Sequence, residues 1–411
     1  MVGRRQAFAT LLFASLLLGG CAGDYVARTR SVRRAYESYR PDEAVAELDK
    51  MKTPEIDRLL VLLDKGMILH GAGKFEESIK VLAEADRLSQ QLDFTSVSET
   101  AKTLLSNERE QTYRGEDFEK LMISVLQALN YAELSKDDDA LVEVRRVNER
   151  IRKMVAEEKK PYEQLAIARY LGGILYEDQG ELDSAFIDYY EAYKLQAGMP
   201  PAVAEPILRL AKQTDREAPY KELKTQYPDL LEAPLSKDEG QVVVVIEAGR
   251  SPQKESQVRD WDGNAATQAF PVPIYLSRDG VAPAQVTVNG LQQQAGVVTS
   301  IEQVARVHLN DRVGRMVAKQ VAGLAIKGAI ATAAGAATKN EAIGLLAFYL
   351  LNANNVPDLR SWLSLPAEFQ VARFRVPVGR HEVTVAAEGV TSKHEVEVRP
   401  RRTRLLVLRR Y

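Results

Sequence analysis

Residues 168–195 read ARYLGGILYEDQGELDSAFIDYYEAYKL. Apolar residues recur at three- and four-residue spacing on both sides of Gly180, which predicts two amphipathic helices folded into a hairpin. Gly173 lies on the first helix with Tyr176 shortly after it, and Ala185, Tyr189 and Ala192 fall along the second. A small residue on one helix lets the other cross closely, and an aromatic side chain fills the gap beside the crossing. The pair Pro200-Pro201 then reads as the stop.

The same offsets return upstream. LLDKGMILHGAGKFEESIKVLAEADRL, residues 62–88, carries Gly66, Leu69, Gly73, Phe75, Leu82 and Ala85, with Ser78 where alanine is usual. QALNYAELSKDDDALVEVRRVNERI, residues 127–151, offers Ala128, Tyr131 and Ala140 but has Ser135-Lys136-Asp137 in place of a glycine turn. PDEAVAELDKM, residues 41–51, supplies half of another copy through Ala44 and Leu48. These spacings resemble the tetratricopeptide repeat, whose usual period is about 34 residues. The copies are not spaced by clean multiples of it, so extra helices are expected, one of them over residues 97–107. Such arrays present a concave face lined by first helices. In this chain that face is expected to carry Met67, His70, Val125, Leu129, Tyr170, Ile174, Glu177 and Asp178, as the site for a protein partner.

Near Lys237 the character changes. A polar stretch marked by proline and glycine gives way to the apolar run at 242–246, short enough for a buried strand. Further strands are expected at 272–276, at 285–288 before the turn pair Asn289-Gly290, and at 369–376, 382–386, 394–398 and 405–408. Val383 and Val385 alternate with Glu382 and Thr384, as on a sheet with one packed face. Between them Ser300 and Gln303 form a capping box that opens a long helix running into VAGLAIKGAIATAAGAATKNEAIGLLAFYLLN, residues 321–352. Gly323, Gly328 and Gly335 would admit a close helical neighbour, while Lys319, Lys327, Lys339 and Glu341 keep each apolar run short of the roughly 20 residues a membrane span needs. A helical hairpin packed on the sheet or on a second copy is the expected form. The fold class is therefore α+β: a TPR-like α-solenoid over residues 21–236, then a small β-sandwich or sheet over 237–411 with an Ala/Gly-rich helical insertion at about 300–353.

The first 20 residues form a basic, apolar and then small-residue sequence, the layout of a secretory signal. It ends in Leu18-Gly19-Gly20-Cys21, which resembles the bacterial lipobox. That resemblance implies acylation of Cys21, and Ala22 after it implies an outer-membrane address on the periplasmic side. Because Cys21 is the chain's single cysteine, the remainder can form neither a disulfide nor a thiolate site.

Little in the rest points to catalysis. His70, His308, His381 and His394 show no metal spacing, and there is no nucleophile elbow or phosphate-binding glycine loop. Glu116 and Asp117 are adjacent, so on a helix they diverge by about 100° and serve best at its N-terminus. The run Asp137-Asp138-Asp139 reads as a solvated loop. The six arginines of RPRRTRLLVLRRY, residues 399–411, read as a solvated border to a final strand. A net charge of −2 gives no general attraction to nucleic acid, and no cofactor is implied.

Taken with the lipobox, the segments at 112–151 and 168–195 and DLRSWLSLPAEFQVARFRVPVGRHEVTV at 358–385 resemble those of bacterial tetratricopeptide-containing envelope lipoproteins. The resemblance implies an envelope setting similar to that of lipoproteins accompanying curli-type secretion pores or activators of cell-wall synthases, and it supplies no catalytic residues. The expectation is a lipid-anchored, non-enzymatic scaffold holding an envelope protein in its solenoid groove. Two alternatives stand beside it. One is an oligomeric secretion-pore subunit using the hairpin at 316–352. The other is a periplasmic hydrolase using Glu116, Asp117 or His381.

Overall fold

Among the described residues, five helix-to-helix turns of the helical region are closed the same way. A residue in the left-handed region, Tyr39, Gly73, Ser135, Gly180 or Asp215, follows each first helix. The next backbone N–H then reaches back five residues, from Arg40 to Ala35, Lys74 to Leu69, Lys136 to Tyr131, Glu181 to Tyr176 and Arg216 to Ala211. This is the Schellman way of satisfying the last carbonyls of a helix. It fixes the entry of the second helix five times over, so the repeat is set by its turns.

The computed structural model describes residues 25–95, 111–156, 165–195, 198–258, 271–278, 280–338, 343 and 357–411. After a single turn, α1 (Tyr25–Arg28), come the hairpins α2–α3 (Arg30–Glu37, Pro41–Lys50), α4–α5 (Arg58–Gly71, Phe75–Thr95), α6–α7 (Asp117–Glu133, Asp137–Ala156), α8–α9 (Ala166–Asp178, Leu182–Lys194) and α10–α11 (Pro201–Gln213, Glu217–Gln226). The close crossings fall where the small residues stand. A Cβ on Gly173 would lie 2.5 Å from the Tyr189 ring, and one on Gly66 would collide with Leu82. Two expectations change. The segment at 41–51 is the second helix of a complete hairpin, and Pro200-Pro201 begins a helix as N-cap and first residue, where proline's missing N–H costs nothing. The helix expected at 97–107 and the signal and lipobox lie outside the described residues.

Among the described residues ten strands follow: β1 (Glu239–Ala248), β2 (Gln253–Val258), β3 (Pro271–Leu276), β4 (Gln285–Val288), β5 (Leu291–Gln294), β6 (Gly296–Ser300), β7 (Glu368–Pro377), β8 (Gly379–Ala387), β9 (Val390–Val398) and β10 (Thr403–Arg410). One sheet runs β10-β1-β7-β6 and a second β5-β4-β8-β9, while β2 and β3 pair by themselves. β1 is parallel to β10 and antiparallel to β7. The hairpin β4–β5 turns on Asn289 and Gly290, both at positive φ, the geometry that joins two strands by two residues.

Strand periodicity sorts β1 into two faces. Val242, Val244 and Ile246, with Phe374 of the adjacent β7, enter a core shared with Val286, Val288, Val383 and Val385 of the facing sheet, which makes a sandwich. Val243 and Val245, with Phe369, Val371 and Leu405, join the core of the solenoid. The first sheet is therefore the middle of three layers. Between β6 and β7 one continuous helix, α12 (Ile301–Thr338), runs for 38 residues or about 57 Å, and the Gln303 N–H donates to Ser300 Oγ at 3.2 Å. The remainder of the expected helical hairpin lies outside the described residues apart from Ile343. Among the described residues no helix is long and apolar enough to cross a membrane.

Candidate functional site: the concave face of the solenoid

Every residue expected on the concave face is buried or bonded within the chain, and four of them meet strands of the sandwich domain. Met67, Val125, Leu129 and Ile174 are buried core residues. The other four are polar, and each has a bonding partner within the protein. His70 Nε2 lies 3.0 Å from Glu247 Oε1 of β1. Tyr170 Oη accepts from Arg373 of β7 at 3.2 Å and donates to the Ala202 carbonyl at 2.9 Å. Glu177 faces Arg373 at 3.3 Å and Arg209 at 2.7 Å. Asp178 accepts the Thr403 N–H of β10 on both oxygens, at 3.0 and 3.1 Å.

Residues the spacing did not single out complete the junction. Glu133 at the end of α6 accepts the Val407 N–H at 2.5 Å on one oxygen and pairs with Arg404 on the other. Thr403 and Val407 are four residues apart, so their N–H groups point the same way from the outer edge of β10. Two carboxylates from successive first helices thus hold the edge of an extended strand. Arginines that read as a solvated border are drawn in with it: Arg409 and Arg410 are buried, and Arg404 is half-buried. Their heads find carbonyls, Arg409 that of Glu247 at 2.7 Å and Arg410 that of Arg409 at 2.7 Å.

The Asp358–Pro366 stretch fills the other end of the face. The Trp362 side chain is fully buried; its backbone N–H donates to Glu119 at 2.7 Å and its indole N–H to Ser364, which donates to Asp64. Arg360 meets Asp57 at 2.8 Å and Asp358 at 2.7 Å. Burial and the nearby Glu116 charge raise the Glu119 carboxyl to about 7, against the opposing pull of Lys254 and of hydrogen bonds from Tyr113 and Trp362. Burial likewise raises Asp178 to about 7, against the Thr403 hydrogen bonds.

The hydrolase candidates do not converge. Glu116 caps α6 reciprocally with Glu119 and is buried against Lys254 and Arg312, the latter at 2.6 Å. Although burial opposes it, those two cations hold its carboxyl far below the usual range, so it is no proton donor near neutrality. A cleft of about 360 Å³ beside it is lined by charges of both signs, Arg114, Asp117, Lys120 and Asp358 among them. His381 sits on β8 of the outer sheet, bonded to Asn289 and the Pro377 carbonyl. It faces Val396 across the strand pair while His394 faces Val383, so the two histidines are not opposite each other. Among the described residues no cluster of three metal-ligating side chains exists.

No protein-family model matches the chain, and no curated protein matches it. Among solved structures it is similar to MamA 41-end from Desulfovibrio magneticus RS-1, at 16% identity over 51% of this chain and 96% of that one, with a TM-score of 0.34. It is also similar to a putative kinesin light chain of Podosopora anserina with nearly identical TPR-like repeats, at 16% identity over 49% and 92%, with a TM-score of 0.32.

Proposed function

We propose that this chain is a lipid-anchored scaffold of the bacterial envelope, held by acylated Cys21 to the periplasmic face of the outer membrane, whose solenoid receives a protein partner where its own last strand now lies. The observation that carries this reading is the seating of β10: Glu133 and Asp178 accept main-chain N–H groups of Val407 and Thr403 as a receptor would accept those of an extended peptide. The groove therefore has strand-binding chemistry, and its own C-terminus is a competing occupant. The lipid supplies location and the groove supplies selectivity. No chemistry is assigned to the protein in this role, and a second copy is among the partners that could offer a strand.

In-cell photocrosslinking from Ser135 and Asp137, which line the cleft beside Asp178 and Thr403, tests the reading in the full-length protein and in Cys21→Ser. The expected result is a small set of defined envelope proteins linked to the wild type and lost in Cys21→Ser. Crosslinks that are unchanged in Cys21→Ser would remove the anchor from the mechanism, and an absence of crosslinks to any other molecule, a second copy included, would remove the partner.

A further inference from the structure

His70 lies near the end of α4 with its ring enclosed, and both ring nitrogens have partners. Nδ1 is 2.6 Å from Asn130 Oδ1 and Nε2 is 3.0 Å from Glu247 Oε1. The orientation of the Asn130 amide follows from its other end. Ser78 Oγ donates its one hydrogen to the Gly66 carbonyl at 2.8 Å, so it must accept from Asn130 Nδ2 at 2.9 Å. The Asn130 oxygen then faces the ring, and Nδ1 must carry a hydrogen. With Nε2 facing a carboxylate, the ring is complete as an imidazolium. Ser78, which stands where the repeat usually has alanine, is the root of this chain of donors.

The surrounding charges come from every element packed on the ring. Glu247 belongs to β1, and its Oε2 has no hydrogen-bond partner, so the ring is what compensates its charge. Glu133 of α6 acts in the same sense at longer range and is itself paired with Arg404. Arg409 of β10 donates to the Glu247 carbonyl, Tyr36 of α2 and Tyr411 lie beside it, and Phe75 of α5 meets the ring edge-on. Burial pushes the ring toward neutrality, but the Glu247 charge and the hydrogen bonds to Glu247 and Asn130 outweigh it and raise the pKa above 6.5.

We propose that the His70–Glu247 pair, its ring oriented by Ser78 through Asn130, is a proton-operated latch that holds the solenoid shut on the sandwich and releases it when the ring loses its second proton. This goes beyond the scaffold reading and concerns the interface within one chain. Because the closed state raises the histidine pKa, its contribution is fully present below about 6.5 and is lost as pH rises through the closed-state value. Asp178 and Glu119, raised to about 7 on the same face, also favour closure when protonated, so the test must separate them from His70.

The full-length protein, labelled with ¹⁵N-histidine, has four imidazoles to resolve. Their ring nitrogens are followed from about pH 5.5 to 8.5 while hydrogen exchange is measured over β1 and β10, each amide's rate being taken relative to its intrinsic base-catalysed rate at the same pH so that only the loss of protection counts. The expected result is a His70 ring protonated on both nitrogens, titrating above 6.5, with exchange at the interface rising up to about tenfold per pH unit beyond that midpoint. In Ser78→Ala the midpoint falls and the rise in exchange moves to lower pH with it. In His70→Gln the rise disappears or shrinks to the part owed to the carboxylates. A ring carrying one proton at about pH 6 would overturn the proposal, as would an unchanged rise in His70→Gln. Should His70→Gln not fold, Ser78→Ala decides: an unshifted midpoint overturns the part given to Ser78, and exchange that fails to follow the ring's midpoint overturns the latch.

Discussion

Two buried charge clusters join the solenoid to the same sheet, one at His70 and one at Arg373, and they hold it in different ways. At Arg373 a guanidinium that cannot shed its proton lies among Glu177, Tyr170, Tyr189 and Gln241, with Arg209 sharing Glu177 and Glu205. At His70 one titratable ring compensates one carboxylate. Both sit on strand positions that alternate toward the solenoid, Gln241 and Glu247 on β1 and Arg373 on β7. The difference teaches that one end of the interface is built for permanence and the other for response. A buried ion network with several partners tolerates any physiological pH, whereas a lone imidazolium pair is conditional on it.

The largest effect is expected from breaking the permanent end. Arg373→Met leaves Glu177 and Glu205 with Arg209 as their remaining cation and deprives Tyr170, Tyr189 and Gln241 of a partner. Removing one side of a buried network costs roughly 3–5 kcal/mol. Urea denaturation should show that loss in full at about pH 8 and a loss no larger at about pH 5.5, where the two buried carboxylates left with one cation take up a proton more readily. A loss well under about 1 kcal/mol at about pH 8 would abolish the distinction between the two ends.

A smaller effect sharpens the responsive end. Glu119, which receives the Trp362 N–H, binds its proton more tightly when folded, at about 7 against 4.5. Its contribution is therefore fully present below about 4.5 and is lost as pH rises toward 7. Glu119→Gln cannot ionise, so its stability should fall less steeply across that window, after an initial loss of about 1 kcal/mol for an impaired hydrogen bond. Denaturation midpoints taken at half-unit intervals would show it, and parallel curves for the two proteins would exclude Glu119 as a contributor.

The repeats, the crossings at Gly66 and Gly173, the Ser300 cap and most strands were legible because each is a local pattern. Period and turn chemistry report that a face is buried and where the chain bends. They do not report what buries it. Tyr170, Glu177 and Asp178 look like a groove awaiting a guest, and only the tertiary fold places β10 and Arg373 there. The same limit hid the ends of the solenoid, where α2 and α10–α11 lack the glycine signal, and the short polar strands β2 and β5. Ser78 was visible as a departure from the repeat, and its meaning depended on Asn130 and Glu247, distant in sequence and brought together by the sheet.

A change that touches neither cluster gives the scale for both. Ser135 adopts φ 55 at the turn of α6–α7, where Gly73 and Gly180 serve the neighbouring hairpins at φ 73 and 80. A side chain in that conformation costs roughly 1–2 kcal/mol, because Cβ crowds the following carbonyl. Glycine removes the strain but adds freedom to the unfolded chain, worth roughly 0.5–1 kcal/mol. Ser135→Gly should therefore stabilise the protein by less than about 1 kcal/mol, and Gly180→Ser should lose a similar amount. Both changes should be independent of pH, since no titrating group is altered. A gain in Ser135→Gly that appeared only above pH 7 would mean that α6, which carries Asn130 and Glu133, moves with the latch, and the turn would then belong to the responsive end as well.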